Sequence, residues 1–527
     1  MSTTATTPKI PSEYRALLEE ALRAWSPGSE LVVKKNLVGG KSTASVLLVD
    51  IGPGPAADGR DAEVRRLSGE FILKLDQQRT WTRPEPGESD RHDEATAWES
   101  AFAAEHIPRL LERAVRDQQI ALLYEIAGRS LSSLVTADGV DAGALEKRGS
   151  QLARGLLAEW NNAYRLEHLS ARETLERWLG YRLDPNESRG LHEFVTAATG
   201  GRPAFIAAGR LLPDPLWFCG SSAVRNDTSH ARFSGMIHGD LHPGNLLLER
   251  QDPRSERYWL IDFALSRRGP LGYDHAYFEL AVLLRHLQGL DPERMLGILD
   301  ASVAPEGSLD AGRVPVVDLG LVQFVRAMRR AADQWQNSKE PNRRDAFVAQ
   351  RLLAQVAAAL NWTNKPLANP DRLLALTYGA WASRHYIETF HERAWQELSA
   401  EASQLKVPAP SAKAEPADPQ PSYEDVWQSL FRFDAAAAKY ILVAGPFGST
   451  DDVSSLGLLP WSAIVDLDPN SDREGLHHLA SPVLEKVRSV KTFGRDALAV
   501  DFDRGTAWLM AAGWPSHHEE VAGSHRD

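Results

Sequence analysis

The spacing of apolar residues along the chain changes after about residue 130. Before that point, short runs of β-branched and aliphatic residues predict strands, and Ser12–Ala24, Glu94–Ala104 and Pro108–Ala114 are spaced as helices. The predicted strands are Leu31–Val38, Ser45–Ile51, Glu70–Leu75 and Gln119–Ile126. From Leu145 onward, apolar residues at three- and four-residue spacing predict helices, interrupted by short β-rich runs at 236–237 and 259–261.

The second half of the chain contains a change of composition that indicates a domain boundary. Long helices are predicted over Asp318–Gln336, Arg344–Trp362 and Asp371–Phe390, and a Pro- and Ala-rich linker follows at 403–422. Buried strands predicted at Lys439–Ala444 and Ser462–Leu467 indicate a small separate α/β unit. We therefore expect an α+β chain with five parts, namely an N-terminal extension (1–29), a β-rich region (30–128), a helical region (129–402), the linker (403–422) and the small unit (423–527).

Composition and charge restrict the function classes. A chain of 527 residues predicts two or three domains, and 43% hydrophobic with 25% charged residues is typical of globular proteins. The net charge of −12 and the lack of a dense basic run argue against a nucleic-acid partner. Because Cys219 is the one cysteine, an internal disulfide is excluded. The sequence shows neither a signal-peptide pattern nor a long apolar run, so we expect a cytoplasmic protein without a membrane partner.

Three polar residues near the two central β-rich runs predict a phosphoryl-transfer site. Asp240 and Asn245 lie five positions apart in one loop, and Asp262 follows the next predicted strand. Phosphoryl transfer requires a carboxylate close to the acceptor hydroxyl and oxygen ligands that hold Mg²⁺ against the phosphates. In this order, Asp240 is the candidate catalytic base, and Asn245 and Asp262 are the candidate metal ligands.

The residues around this site resemble a known family. His238-Gly239-Asp240-Leu241-His242-Pro243-Gly244-Asn245, followed by Ile261-Asp262-Phe263, is similar to the catalytic and metal-binding loops of aminoglycoside phosphotransferase-like kinases, which include choline, homoserine and fructosamine kinases. The resemblance implies a bilobal protein-kinase-like fold, with a small β-rich N-lobe and a large helical C-lobe. It implies ATP and Mg²⁺ as cofactors, transfer to an alcohol group, and a structural role for His238.

The nucleotide would be covered by the loop Gly39-Gly40-Lys41-Ser42. A Walker A motif would need glycine where Lys35 stands and a helix where Ser45–Ile51 is strand-like. A strand–loop–strand arrangement instead fits the kinase lid, in which backbone N–H groups approach the phosphates. A plain hairpin turn is the alternative.

The resemblance also assigns residues around the nucleotide. Lys74 would contact the phosphates, with Glu94 as its ion-pair partner and Glu99 as the second choice. The segment 122–128, with Glu125 and Ile126, would be the hinge that binds adenine through its backbone. Asp274 is interpreted as a helix N-cap, and the family adds that this aspartate often braces the catalytic loop.

The small C-terminal unit offers weaker patterns. Asp466 and Asp468 after a predicted strand are similar to the nucleophile motif of haloacid-dehalogenase-type phosphatases, and with Asp472 they could bind Ca²⁺. A polar turn after a core strand is the favoured interpretation. The segment also resembles parts of bacterial conflict-system proteins that carry a kinase-like domain, and the unit could bind a protein partner.

Three hypotheses for function follow from the residues. The leading one is an ATP-dependent kinase that acts on a hydroxyl of an unidentified small molecule or protein. The second is a catalytically weak nucleotide-binding scaffold that signals to the C-terminal unit or to a partner. The third treats His238, Asp240 and His242 as the ligands of a hydrolase metal.

Overall fold

The computed structural model of the chain describes ten stretches of its first 404 residues and five strands further on. The stretches are 10–37, 44–52, 67–77, 86–128, 130–140, 142–228, 230–250, 257–288, 292–304 and 318–404. The chain divides into two compact units, Met1–Gln404 and Leu405–Asp527, and each is described by itself.

The N-terminal part of the first unit is built on one antiparallel sheet. Its five strands follow the order β1-β2-β3-β5-β4, and every neighbouring pair is antiparallel. The strands are β1 Leu31–Asn36, β2 Ser45–Ile51, β3 Gly69–Gln77, β4 Leu110–Arg116 and β5 Gln119–Tyr124. Apolar side chains of alternate residues, such as Leu47, Val49 and Ile51, are buried on one face, as a half-buried strand requires.

Helix α1 (Arg15–Trp25) covers that apolar face. Its residues Leu17, Leu18, Ala21 and Trp25 recur at helical spacing and are buried against the sheet. Each such large side chain contributes about 1.5–3 kcal/mol by burial. The segment before residue 30 is therefore part of the core of the small lobe.

Two helix predictions in this lobe need correction. The helical segment begins at Glu88 and breaks at Glu99, which has extended backbone angles, so it forms α2 (Glu88–Trp98) and α3 (Ser100–His106). The stretch 108–114, predicted as a helix, instead contributes to strand β4. Strand β4 pairs with β5 along its whole length, and this pairing outweighs the local helical spacing.

The larger part of the first unit is mainly helical. Its helices are α4 Ala142–Arg154, α5 Ala171–Leu179, α6 Arg189–Thr199, α7 Pro215–Gly220, α8 Ser222–Arg225, α9 Tyr273–His286, α10 Pro292–Val303, α11 Leu319–Lys339, α12 Arg344–Thr363, α13 Asn369–Phe390 and α14 Glu392–Gln404. A π-helical turn, Gly155–Trp160, continues α4. The three long helices predicted from spacing correspond to α11, α12 and α13 and are confirmed.

Short strands lie between these helices. They are β6 Leu134–Thr136, β7 Arg165–Leu169, β8 Ala204–Ala207, β9 Arg210–Pro213, β10 His230–Ile237, β11 Leu246–Glu249, β12 Tyr258–Leu260 and β13 Arg267–Pro270. They form the small sheets β13-β10-β7 and β12-β11-β6 and the hairpin β8-β9. The sequence predicted β12 and the end of β10, whereas β6, β7, β8, β9 and β13 were not predicted.

A buried polar network holds α9 in the centre of the large lobe. Glu279 on α9 accepts two hydrogen bonds from the guanidinium of Arg329 on α11, at 2.6 and 3.1 Å, and one from Tyr378 on α13 at 2.9 Å. A bidentate arginine–carboxylate pair fixes geometry as well as charge. The orientation of α9 is consequently fixed by two other helices.

The described residues of the second unit form one antiparallel sheet of order β15-β14-β18-β17-β16. Its strands are β14 Tyr440–Val443, β15 Val465–Leu467, β16 Val487–Phe493, β17 Ala497–Phe502 and β18 Gly505–Ala511. Strands β14 and β15 fall within the two predicted runs. The helical part of the predicted α/β unit, Asp468 and Asp472 lie outside the described residues, whereas Asp466 lies within β15.

The first unit thus has the α+β architecture that the sequence predicted, with a small β-rich lobe followed by a large helical lobe. Across the described residues, every helix is too short or too polar to cross a membrane.

Candidate functional site

The loop between β10 and β11 carries the predicted catalytic residues. Strand β11 begins at Leu246, which pairs with Leu260 of β12, and the N–H of Ile261 donates to the carbonyl of Asn245 at 3.1 Å. This pairing brings the end of the loop next to the residue that follows β12. Asn245 and Asp262, separate in sequence, are neighbours here.

Asp274 braces the start of this loop. Its two carboxylate oxygens accept the backbone N–H of His238 at 2.7 Å and that of Gly239 at 2.9 Å. Gly239 has φ +81°, and a Cβ at this position would lie 2.3 Å from the carbonyl oxygen of Leu265, so glycine is required. The N-cap interpretation of Asp274 is wrong because Gly272 caps α9, and the aspartate lies inside the first turn.

The two histidines of the loop serve its geometry. His238 is fully buried, and its Nε2 forms a hydrogen bond of 2.9 Å with the carbonyl of Ile261. The Nδ1 of His242 accepts the N–H of Gly244 at 3.1 Å. His238 Nε2 and His242 Nδ1 are thus engaged in holding the loop. Among the described residues, His238, Asp240 and His242 do not form a group that could hold a metal ion, so the structure does not support the third hypothesis.

Asp240 is surrounded by donors from two helical segments. Its Oδ1 accepts the hydroxyl of Tyr277 at 2.6 Å and the ammonium of Lys365 at 3.1 Å, while His242 Nε2 lies 4.0 Å from Oδ2. Burial acts to raise the pKa of Asp240, but the charge of Lys365, the hydrogen bond from Tyr277 and His242 outweigh it and lower the pKa. The carboxylate is therefore held ionised, with Oδ2 as its less engaged oxygen.

Asn245 and Asp262 are held in position by the backbone. The side-chain Nδ2 of Asn245 donates to the carbonyl of Asp240 at 2.9 Å, which leaves the amide oxygen as the group that could bind a cation. Asp262 has φ +66°, a left-handed conformation that an aspartate adopts at a cost. Strained backbone of this kind is typical of functional sites.

Lys74 of β3 links the small lobe to this site. Its ammonium lies 2.9 Å from Asp262 Oδ1 and 2.7 Å from Glu88 Oε2, and its side chain is 11% exposed. The hydroxyl of Tyr124 donates to the other Glu88 oxygen at 3.1 Å. Burial alone would lower the pKa of Lys74, but the charges of Asp262 and Glu88 raise it, so the ammonium stays charged.

The ion pair predicted between Lys74 and Glu94 is not formed. Glu94 lies 2.8 Å from Arg268 in an exposed pair, and Glu88 takes the predicted place beside Lys74. The second choice, Glu99, lies at the break between α2 and α3. Helix α2 begins at Glu88, six residues before the predicted helix start at Glu94. The acidic partner was therefore predicted too far along the chain.

The other residues predicted to contact the nucleotide are those of the loop 39–42 and of the hinge. Gly39, Gly40, Lys41 and Ser42 lie outside the described residues. Glu125 and Ile126 follow β5 directly, as a hinge would, and the Glu125 carboxylate pairs with Arg109 at 3.1 Å. Both residues line a cavity of about 950 Å³ together with parts of α3, α4 and β12, a different place from the Asp240 loop.

Four residues of the site were not predicted from the sequence, namely Glu88, Tyr277, Lys365 and Trp362, whose ring centre lies 5.2 Å from that of Tyr277. Glu88 had a local signal, since Pro86-Gly87-Glu88 with an acidic first turn is typical of a helix start. Tyr277 lies one turn after Asp274 on α9. Trp362 and Lys365 lie more than a hundred residues after Asp240, so only the fold brings them to it.

Comparisons with known proteins give one partial family match and several distant structural similarities. The family described as ternary complex associated domain 9 matches residues 156–358, which is less than half of the chain. A search of curated proteins finds no significant match.

Solved structures of several phosphotransferases are similar to this chain. A GDP complex of an aminoglycoside 2'-phosphotransferase-IIIa mutant has 10% identity and a TM-score of 0.30, covering 73% of this chain and 97% of that one. Plasmodium vivax ethanolamine kinase has 10% identity and a TM-score of 0.32, covering 67% and 82%. An aminoglycoside-3'-phosphotransferase of type VIII has 17% identity and a TM-score of 0.30, covering 66% and 100%. At these TM-scores the fold is better judged by the topology of the chain itself.

Proposed function

We propose that the first unit binds ATP with Mg²⁺ and transfers the γ-phosphoryl group to a hydroxyl of a small molecule or protein. The observation that carries this proposal is the contact of Lys74, from the small lobe, with Asp262, from the large lobe. A lysine from one lobe and an aspartate beside the Asp240 loop from the other form the charge arrangement that phosphoryl transfer requires.

Lys74 would hold the phosphates of the nucleotide. Its charge is balanced by Glu88 at 2.7 Å as well as by Asp262 at 2.9 Å. When phosphates enter, Glu88 keeps the ammonium in position, while the bond to Asp262 can be exchanged for a bond to a phosphate oxygen. The ion pair with Glu88 therefore serves orientation, and the contact with Asp262 marks where the nucleotide end of the site lies.

The oxygen donors fit a magnesium ion. The amide oxygen of Asn245 and the carboxylate of Asp262 are hard ligands on neighbouring backbone segments, and kinase magnesium is held by one or two protein oxygens plus phosphates and water. When bound, the ion would neutralise charge that develops on the phosphates. Among the described residues, groups of three or more His, Cys, Asp or Glu that could hold a metal by themselves are absent.

Asp240 would act on the acceptor. Its Oδ1 is engaged by Tyr277 and Lys365, so Oδ2 is the oxygen available to accept the acceptor hydroxyl. The acceptor oxygen forms a bond to the γ-phosphorus as the bond from that phosphorus to the β,γ-bridging oxygen breaks. The hydroxyl proton passes to Oδ2, and ADP leaves.

The decisive experiment measures ATP binding and ATP hydrolysis with Mg²⁺ for the natural protein and for Asp262→Ala. We expect Mg²⁺-dependent binding with slow hydrolysis, both weakened by the substitution. Binding without hydrolysis across acceptor screens would favour the second hypothesis, a scaffold that signals to the C-terminal unit or a partner. No binding at all would refute the proposal.

A further inference from the structure

Lys365 places a permanent positive charge at the acceptor end of the site. Its ammonium lies 3.1 Å from Asp240 Oδ1, 4.3 Å from the centre of the Trp362 ring and 5.2 Å from that of Tyr277. The side chains of Lys365 and Asp240 are 24% and 25% exposed, so both remain accessible from the acceptor side.

The backbone of Lys365 is held by the end of α12. The backbone N–H of Lys365 donates to the carbonyl of Trp362 at 3.0 Å, and that of Asn364 donates to Leu360 at 3.0 Å. The lysine thus lies in a tight turn that directly follows a helix with many buried residues. The ammonium itself is held by its contacts with Asp240, Trp362 and Tyr277.

Among the described residues, two carboxylates near the acceptor end, those of Asp240 and Asp138, are already paired with cations. The charge of Asp240 is already balanced by Lys365, and the neighbouring Asp138, close to Gly244, is paired with Arg285 at 2.8 Å. An amine brought near the reacting hydroxyl would meet the ammonium of Lys365, and like charges at short range repel.

The aromatic residues lead to the same conclusion. Indole and phenol faces attract cations and often form the wall of an ammonium-binding site. Here the faces of Trp362 and Tyr277 are within cation–π distance of the protein's own lysine. The place that a substrate ammonium would take is occupied by a residue of the chain.

We propose that Lys365 determines the acceptor class: hydroxyl compounds that are uncharged or anionic beside the reacting hydroxyl, with a carboxylate- or phosphate-bearing group preferred. This inference rests on the proposed function. It makes Lys365 a specificity-determining residue that attracts an acceptor anion and repels an acceptor cation.

The test uses three two-carbon probes that differ in charge, namely glycolate, ethylene glycol and ethanolamine. Each is titrated at constant ionic strength into the full-length protein with ATP and Mg²⁺, and ATP consumption is measured. We expect glycolate to change ATP turnover saturably at a concentration at least about tenfold lower than ethanolamine, because the ammonium favours an anion. Ethylene glycol should fall between them.

Variants separate the charge of Lys365 from its packing. Lys365→Met keeps the length of the side chain and should lose the preference for glycolate, with the KM for ATP unchanged. Lys365→Arg should retain the preference. Lys339→Met, which removes an exposed lysine at the end of α11, is the matched control and should behave as the natural protein.

Several outcomes would overturn the inference. They are an equal or stronger effect of ethanolamine in the natural protein, the same response to all three probes, or a glycolate preference that persists in Lys365→Met. If Lys365→Met does not fold, the comparison of probes on the natural protein and on Lys365→Arg still decides. Failure of the proposed function is seen earlier and separately, as absence of Mg²⁺-dependent ATP binding before any probe is added.

Discussion

The candidate site contains two aspartates that are each held by a lysine, and the two pairs differ in their surroundings. Lys74 lies between Asp262 and Glu88, so two carboxylates share one ammonium at the nucleotide end. Lys365 lies between Asp240 and two aromatic rings, so one carboxylate meets one ammonium at the acceptor end. The first lysine is surrounded by two carboxylates, whereas the second contacts a carboxylate and two aromatic faces.

This difference indicates how the two ends are used. Excess negative charge beside a lysine suits a position where a metal ion and phosphates arrive together, because the carboxylate can turn to the metal while the lysine turns to the phosphate. A lysine beside the proposed base suits a position where the acceptor hydroxyl is oriented and an anionic group of the acceptor is attracted. The predictions below test this division of labour, beginning with the largest expected effect.

Replacing each aspartate should disable a different step. We expect Asp240→Asn to lower kcat for ATP turnover by about 10²–10⁴-fold, the usual contribution of a general base, with little change in nucleotide affinity. Asp262→Asn should instead weaken Mg²⁺-dependent nucleotide binding, which calorimetry would measure. Glu397→Gln, in an exposed helical pair, is the control. Equal loss of binding in both aspartate variants would contradict the comparison.

The two hydrogen bonds that Asp274 accepts from the start of the Asp240 loop should contribute to stability. Asp274→Ala removes the acceptor of two buried N–H groups, each costing about 1–3 kcal/mol when left unpaired, so we expect a loss of roughly 2–6 kcal/mol in the free energy of unfolding. Asp345→Ala, in the exposed first turn of α12, should cost about 0.3–1 kcal/mol through the helix dipole. Urea unfolding measures both, and similar losses would mean that the brace is unimportant.

The ion-pair partner of Lys74 is Glu88 in the structure, whereas the sequence predicted Glu94. Glu88→Gln should lower nucleotide affinity on the order of tenfold, because a charge-assisted hydrogen bond in a buried pair is lost. Glu94→Gln removes a carboxylate from an exposed pair with Arg268 and should have almost no effect. The reverse order of effects, measured by nucleotide titration, would restore Glu94 as the partner.

The smallest effect concerns the pH dependence of stability. Since the folded state lowers the pKa of Asp240, this residue contributes stability above its unfolded pKa of about 3.9, and the contribution is lost as the pH falls through the folded pKa. In Lys365→Met the opposing charge is gone and burial remains, so the pKa of Asp240 should rise toward or above its unfolded value, and this acid-dependent loss of stability should shrink or reverse. Urea midpoints between about pH 3 and pH 7 would show the shift, and coincident pH curves for the two proteins would exclude it.

The motif residues could be predicted because they lie close together in sequence. Asp240 and Asn245 share one loop, and Asp262 follows the next predicted strand. The hydrophobic runs that flank the loop were therefore enough to predict that the three residues lie close together. The helices α11 to α13 were predictable for a similar reason, since each extends over twenty or more residues with regular apolar spacing.

Other residues could not be placed by local reasoning. Strand β4 has helical spacing and becomes a strand through its pairing with β5. Glu88 rather than Glu94 meets Lys74 because the start of α2, and not the number of acidic residues on it, determines which side chain faces β3. The two candidate glutamates are chemically equal in the sequence.

The sequence by itself determined which candidate residues share the Asp240 loop and the two-lobed order of strands and helices, because short-range spacing encodes loops and long helices. Only the tertiary structure decided which charges meet. Lys365 reaches Asp240 across 125 residues and Lys74 reaches Asp262 across 188. Such contacts depend on how helices and sheets pack, and the strength of a charge pair changes steeply with distance and burial.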